Sequence, residues 1–330
     1  MGILVTGGAG YIGSHMVLEL LDAGEEVTVL DDLSTGFRWA VPDGARLIVG
    51  DVGDENLVMK VIRESSADAI FHFAGSVVVP ESVRDPLRYY RNNTCKSRSL
   101  IEWAIKAEVS HFIFSSTAAV YGTPEQNPVS EQSELRPISP YGSSKLMTEM
   151  MLADAAAASN LRYMALRYFN VAGADPAGRG GQSTPQATHL IKVAVQTALG
   201  QRPYLEVFGT DYPTNDGSCI RDYIHVHDLA RAHYTALTHL RRGGASQVLN
   251  CGYGRGHSVF EVISSVRRVA RLDFPVRIGP RRPGDPAALI ADATRIREVL
   301  DWHPEFDDLD TMVGHALCWE RRLIQRRATS

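Results

Sequence analysis

The sequence predicts an α/β protein: a doubly wound parallel sheet of the Rossmann type, followed by a smaller C-terminal α/β lobe. Two observations carry this. Short β-rich apolar runs alternate with amphipathic helical stretches through the first half, and the first run leads directly into Gly7-Gly8-Ala9-Gly10-Tyr11-Ile12-Gly13. Alternation of this kind implies right-handed crossovers and a parallel sheet covered on both faces. A glycine-rich turn between a strand and a helix lets the backbone approach a pyrophosphate closely.

Element by element, Ile3-Leu4-Val5 reads as the first strand and Tyr11 to Ala23 as the first helix. Val27–Leu30, Leu47–Val49, Ala69–Phe73 and Phe112–Phe114 read as buried strands, and Leu161–Tyr168 as a sixth. Helices are expected at Asp54–Glu64, Leu87–Ala107 and Tyr141–Ala158. After Asn170 the texture changes. Asp175–Pro185 is rich in Gly, Pro and Ser and reads as a loop, Ala187–Leu199 as a helix, Thr210–Gly217 as turns, and Asp228–Leu240 as a helix. Ser258-Val259-Phe260-Glu261 has capping-box spacing. Val276–Ile278 is a further strand, Asp292 should cap another helix, and Leu309–Gln325 is the last. The expected division is 1–169 for the dinucleotide-binding domain and 170–330 for a substrate lobe, with parts of about 218–251 returning to the first sheet.

Bulk properties narrow the function. The 330 residues, 44% of them hydrophobic, suffice for one large unit or two coupled domains. A net charge of -4 leaves no basic surplus for a run of phosphates, so nucleic acid is not an expected partner. Cys95, Cys219, Cys251 and Cys318 are scattered without a CxxC pair, which suits a reducing cytoplasm. No charged and apolar leader precedes the strand at Gly2, and no apolar run is long enough to span a membrane. A secretory signal and a membrane partner are therefore not expected. His225 and His227 form an HxH without an evident third ligand, so no metal is expected.

The glycine turn has the right context: a strand before, a helix after, and Asp31 at the end of the second strand. A helix start offers unpaired N–H groups and the positive end of its dipole, so Gly7, Gly10, Tyr11, Ile12 and Gly13 are expected at a pyrophosphate. The Asp31 carboxylate suits the adenosine ribose hydroxyls. A 2′-phosphate would face Asp31 and Asp32 together, which favours NAD over NADP. Asp51-Val52 and Phe73-Ala74-Gly75 follow strands three and four, on the edge where such sheets bind ligands.

Tyr141 and Lys145 are four apart and share a helix face. To act as a base near pH 7, a tyrosine must fall by roughly three pKa units, about 4 kcal/mol. An ammonium about 5 Å away contributes roughly 3 kcal/mol at an effective dielectric of about 20. Lysine and an oxidised nicotinamide together are therefore sufficient. Ser115-Ser116-Thr117 closes the fifth strand, and a hydroxyl there, Thr117 by preference, can relay a proton to Tyr141.

These segments resemble the extended short-chain dehydrogenase/reductase family. Val5–His15, Phe112–Thr117 and Ser139–Met147 are shared across it; Phe208–Thr214, Arg221–Val226 and Pro280–Asp285 resemble its epimerase branch, and Leu166–Asn170 also matches. The resemblance covers nearly the whole chain. It implies an NAD-dependent inversion at C4 of a UDP-hexose through a 4-keto sugar, and a homodimer paired through the helices at Leu87–Ala107 and Tyr141–Ala158. It implies Tyr141 as base, Lys145 as the cation that lowers its pKa and holds the nicotinamide ribose, and Thr117 as the hydroxyl partner. It places Asn92, Ser115 and Tyr168 beside the cofactor. It places Phe169, Asn170, His189, Leu190, Arg221, Arg282, Asp285 and Leu289 around the UDP-sugar; guanidinium groups suit a pyrophosphate. Two departures stand out. Family members often carry a lysine shortly after Phe-Ala-Gly, where this chain reads Ser76-Val77-Val78-Val79-Pro80-Glu81, and Leu289 is intermediate between an aromatic and a small residue. Other UDP-sugars, a 4,6-dehydratase and a silent dinucleotide sensor are the rivals. Ala118 and Ala119 lack the carboxylate that a dehydratase needs after the Ser/Thr.

Overall fold

The computed structural model describes residues 2–184, 187–282 and 284–329. Met1, Gln186 and Ser330 lie outside them, as do Pro185 of the predicted loop and Pro283 of the predicted nucleotide stretch.

The first half winds as expected. It runs β1 (Gly2–Thr6), α1 (Tyr11–Asp22), β2 (Glu26–Asp31), β3 (Arg46–Val49), α2 (Glu55–Glu64), β4 (Ala67–His72), α3 (Val79–Arg84), α4 (Pro86–Tyr89), α5 (Lys96–Lys106), β5 (His111–Ser115), α6 (Pro140–Ala157) and β6 (Arg162–Tyr168). The second half adds β7 (Asn170–Ala172), α7 (Leu190–Ala198), β8 (Leu205–Phe208), β9 (Ile220–His225), α8 (Val226–Arg241), β10 (Gln247–Cys251), β11 (Gly256–Ser258) and α9 (Val259–Ala270). It closes with β12 (Val276–Gly279), β13 (Ala288–Leu289), α10 (Thr294–Leu300) and α11 (Leu309–Thr329).

Seven strands form one sheet in the order β10-β6-β5-β4-β1-β2-β3, every neighbouring pair parallel. The chain leaves β1 toward β2 and β3, then returns to the other side at β4, so the crevice between β1 and β4 is the topological switch point. β1 is buried at every position, which is why it reads as a continuous apolar run and not an alternating one. One face of the sheet packs Met16, Val17 and Leu20 of α1 with Leu229, Ala232 and Ala236 of α8. The other packs Val58 and Ile62 of α2, Leu100 and Ala104 of α5, and Leu152 of α6. Truncating a fully buried leucine such as Leu20 or Leu100 to alanine costs about 2–5 kcal/mol. In the second lobe, β7, β11 and β13 all pair with β9, and β8 pairs with β12.

Several boundaries differ from the sequence reading. The single helix expected over Leu87–Ala107 is interrupted by a π-helical segment, Tyr90–Cys95, between α4 and α5. The wider turn leaves Asn93 buried, with Oδ1 accepting from the Ser76 amide at 2.8 Å and Nδ2 donating to the Ser144 hydroxyl at 3.1 Å. α3 was not expected; Pro80 sits in its first turn, where proline is tolerated. The helix expected from Ala187 begins at Leu190. α8 starts two residues early because the His225 side chain accepts from the His227 amide at its first turn. Asp292 lies one residue before the cap position of α10, where its carboxylate accepts from the Thr294 amide at 3.0 Å. The Ser258–Glu261 capping box is present.

Candidate active site

The switch point is a seat without room for side chains. Gly7 has φ +73°, and a Cβ there would lie 2.5 Å from the Ala74 nitrogen; a Cβ on Gly13 would lie 2.1 Å from the Gly7 carbonyl oxygen. α1 therefore starts against the glycine turn, with Gly10 at its cap position and no side-chain cap on its first N–H groups. Those groups around Tyr11, Ile12 and Gly13 suit an anion. The Tyr11 hydroxyl donates to the Gly173 carbonyl at 2.7 Å and ties this end of α1 to the loop after β7.

Asp31 closes β2. Its two oxygens accept from the Ala9 amide at 2.9 Å and the Leu33 amide at 2.8 Å. Burial nonetheless pushes its carboxyl above the usual range. Asp32 turns outward and accepts from the Ser34 amide at 2.9 Å. Asp51 carries an ion pair with Lys96 at 2.8 Å; partial burial opposes its ionisation, but the ammonium and the Gly53 amide outweigh that and hold it below the usual range. Val52 is buried beside it. After β4, Phe73 packs its ring 5.0 Å from that of His233, and the Asn92 amide donates to the Ser76 hydroxyl at 3.1 Å. The stretch that lacks a lysine is thus held by two asparagines, Asn92 and Asn93.

The ends of β5 and α6 bring the predicted catalytic groups together. Pro140 occupies the first turn of α6, and the Ser139 hydroxyl accepts from the Gly142 amide at 3.2 Å. This start sets Tyr141 at the mouth of the helix. Tyr141 and Thr117 are both buried. Burial pushes the Tyr141 phenol up, and a hydrogen bond with the Thr117 hydroxyl opposes the shift. Lys145 lies one turn on. Its ammonium donates to the Ser115 carbonyl at 2.8 Å and sits 4.8 Å from the centre of the Phe114 ring. Burial pulls Lys145 down to about 8. The Ser115 and Tyr168 hydroxyls are 2.5 Å apart.

The expected substrate residues form two clusters joined by β9. Asn170 pairs with Tyr223 across β7 and β9, and it lines a cleft with His189 and Leu190. His189 lies 2.7 Å from the Gln182 amide. Phe169, just before Asn170, is buried. Two residues earlier on β9, Arg221 pairs with Leu289 of β13. The Arg221 guanidinium donates to the Pro286 carbonyl at 2.8 Å and lies 3.6 Å from Asp285, which also faces Arg282 at 4.0 Å. Arg282 lies over the Phe208 ring. His225 does not stand with His227 as a ligand pair: it meets His315 at 3.0 Å, and among the described residues no group of side chains could hold a metal ion.

The sequence reading missed the layer behind this site: Asn93, Tyr121, Glu149 and Arg167, to which Ser116 of the predicted hydroxyl cluster is joined. One signal pointed there. Tyr141, Lys145 and Glu149 recur every four residues, so a charged side chain lies on the buried face of α6.

Residues 3–252 match the model of the "NAD dependent epimerase/dehydratase family". The chain is 58% identical over 323 residues to a UDP-glucose 4-epimerase of Azospirillum brasilense, covering 98% of this chain and 93% of that one. It superposes with a TM-score of 0.94 on a UDP-glucose 4-epimerase from Brucella ovis in complex with NAD, at 44% identity and covering 96% and 97% of the two chains. A third similar structure, from Stenotrophomonas maltophila with bound NAD and formylated UDP-arabinopyranose, gives a TM-score of 0.95 at 38% identity, covering 99% of each chain. With the fold, the glycine seat and the Tyr141–Lys145 helix in place, these likenesses show that the chain belongs to the NAD dependent epimerase/dehydratase family.

Proposed function

We propose that the chain interconverts UDP-glucose and UDP-galactose, inverting C4 of the hexose through a 4-keto intermediate with NAD as cofactor. The observation that carries this reading is the junction of the β5 end with the start of α6, where Lys145 donates to the Ser115 carbonyl at 2.8 Å and Tyr141 and Thr117 are both buried. It lies on the C-terminal edge of the sheet, between the glycine seat and the arginine-bearing lobe.

The seat fits NAD. Gly7, Gly10, Tyr11, Ile12 and Gly13 would hold the pyrophosphate, and Asp31 with Asp32 the adenosine ribose. Asp51 and Val52 would border the adenosine end. Phe73, Ala74, Gly75, Asn92, Ser115, Lys145 and Tyr168 would border the nicotinamide end. Bound NAD supplies the hydride acceptor and donor that the side chains lack. Tyr141 takes the proton of the 4-hydroxyl, directly or through Thr117, and later returns it. Lys145 holds positive charge beside the phenol, so the phenolate becomes accessible. Arg221 and Arg282 grip the pyrophosphate of the substrate and Asp285 its ribose. Phe169, Asn170, His189 and Leu190 close the remainder of the site. Firm binding at the remote nucleotide leaves the keto sugar free to turn over before it is reduced on its other face. Leu289 is the residue on which admission of N-acetylated or pentose sugars depends.

The protein is further read as a cytoplasmic homodimer. α3 and α4 pack against α6 and leave an apolar surface, with Leu87 77% and Met150 60% exposed beside Val83 and Met147. A second copy of the same surface would cover it, and light scattering at micromolar concentration tests this: a monomer overturns it.

The test of the function needs only purified protein, NAD, UDP-galactose and, separately, UDP-N-acetylgalactosamine. The expected product is the C4 epimer of the first. Failure to epimerise either, with UDP still bound, would leave a silent nucleotide-binding protein instead.

A further inference from the structure

Behind the Tyr141–Lys145 pair lies a buried ion pair that the reaction as drawn does not use. Glu149 of α6 and Arg167 of β6 have side chains each only 4% exposed. The guanidinium grips both carboxylate oxygens, Nη2 to Oε2 at 2.7 Å and Nε to Oε1 at 3.0 Å. Its remaining nitrogen donates to the Tyr121 hydroxyl at 3.0 Å, which donates to Asn250 Oδ1 at 2.6 Å. On the other side, the Ser116 hydroxyl donates to Glu149 Oε1. One chain of bonds therefore runs from the end of β5, through α6 and β6, to β10. A buried ion pair adds little stability over apolar packing of the same volume, so its place beside the lysine asks for another reason.

We propose that Glu149 is a positioning residue for proton transfer: it clamps the Ser115–Thr117 strand end to the helix of Tyr141 and Lys145 and sets a negative charge against the lysine. Ser116 is the hinge pin. Its neighbour Ser115 receives the Lys145 ammonium, and its other neighbour Thr117 meets the Tyr141 phenol. Holding Ser116 sets both contacts at once. The titratable groups around Lys145 are Tyr141 and Glu149 on α6, Arg167 and Tyr168 on β6, and His72 on β4. Burial, then the lysine's own charge, keeps His72 neutral, its pKa pulled down to about 3. Burial also pulls the lysine down, and Glu149 is the group that opposes this. What is positioned rests on the epimerase reading; the clamp itself does not.

The test compares Glu149→Gln, Glu149→Asp and the double variant Glu149→Gln/Arg167→Met with the wild-type enzyme. It follows kcat/KM for UDP-galactose and, by calorimetry, NAD affinity, from pH 5.5 to 9.5. In Glu149→Gln the alkaline limb of both profiles should move down by about one pH unit, with a loss of about fivefold at pH 8 that approaches tenfold at higher pH and shrinks toward pH 6. Glu149→Asp keeps the charge and should keep the limb while kcat falls. The double variant leaves no lone buried guanidinium, so it should fold where the single does not, with its limb still displaced. A limb unmoved in the folded variants, or an equal loss at every pH, overturns the proposal. If the wild type does not epimerise, the epimerase reading fails, while the pH dependence of NAD affinity still reports on Glu149.

Discussion

The Lys145 ammonium donates to the Ser115 carbonyl at 2.8 Å, so in the free protein its charge is engaged by the strand end and not by the Tyr141 phenol. Burial lowers the lysine from 10.5 to about 8. Its charge is present below that pH and lost above it, so kcat/KM should fall as pH rises past about 8. Stability should not follow. A lysine whose folded pKa is depressed binds fewer protons than the unfolded chain between about 8 and 10.5, so its contribution to stability grows as pH rises through that window. Activity and melting temperature measured together between pH 7 and 9.5 should therefore diverge. A parallel fall of both would assign the alkaline loss to unfolding.

Tyr141 has the opposite problem. Burial pushes its phenol up and the Thr117 hydroxyl opposes this only in part, so the free protein keeps it neutral. Replacing Tyr141 with Phe removes the proposed proton acceptor and keeps the ring in place. Turnover should fall by about 10²–10⁴-fold, the usual share of general acid–base catalysis. UDP affinity by calorimetry should change by less than about twofold, and the loss of one buried hydroxyl should cost about 1 kcal/mol of stability. Near-normal turnover would remove Tyr141 from the reaction.

What the sequence disclosed and what it hid divide along contact range. The glycine seat, the Tyr141–Lys145 pair and the Ser258 cap are local patterns, fixed by spacing within one or two turns. The Glu149–Arg167 clamp joins residues on a helix and a strand that meet only when the sheet is assembled. Asn93 is similar: it reaches Ser76 and Ser144 only because a π-helical turn leaves it buried, and a π turn has no apolar period of its own to announce it. α3 spans only six residues, too short for an apolar period to show, and Pro80 sits in its first turn, which accepts proline. The substrate clusters came from likeness to a family. β9 then explains their union, since Arg221 and Tyr223 lie two residues apart on one strand and face Leu289 and Asn170 on its neighbours.

The glycine seat separates two roles that one motif usually confounds. A Cβ on Gly13 would stand 2.1 Å from a backbone oxygen, whereas on Gly10 it would meet only the Gly7 carbonyl oxygen at 3.3 Å. Gly10 also has an ordinary extended backbone, φ -80°. Gly13→Ala should therefore lower the melting temperature and lose NAD together. Gly10→Ala should keep the fold and weaken NAD binding by about tenfold or more, since its methyl group would crowd the pyrophosphate at the start of α1. Thermal melts with and without NAD distinguish the two. Equal melting losses in both variants would mean that the turn serves only packing.

Leu289 sits opposite Arg221 in the β13–β9 pair, so the strand proposed to meet the sugar is held in register with the arginine proposed for the nucleotide. Asp222 fastens that arrangement. Its buried carboxylate accepts from the Ala291 amide at 3.2 Å and from the Tyr253 and Gly254 amides. A change of side-chain volume at Leu289 should therefore act on the sugar and leave the grip on UDP alone. Leu289→Ala should raise the kcat/KM ratio of UDP-N-acetylgalactosamine to UDP-galactose, and Leu289→Tyr should lower it. A few methylene groups in an apolar site are worth about 10–200-fold in such discrimination. UDP affinity should stay within about threefold of the wild type in both variants. If the ratio stays fixed while UDP affinity falls, Leu289 belongs to the nucleotide end of the site, and the sugar is selected elsewhere.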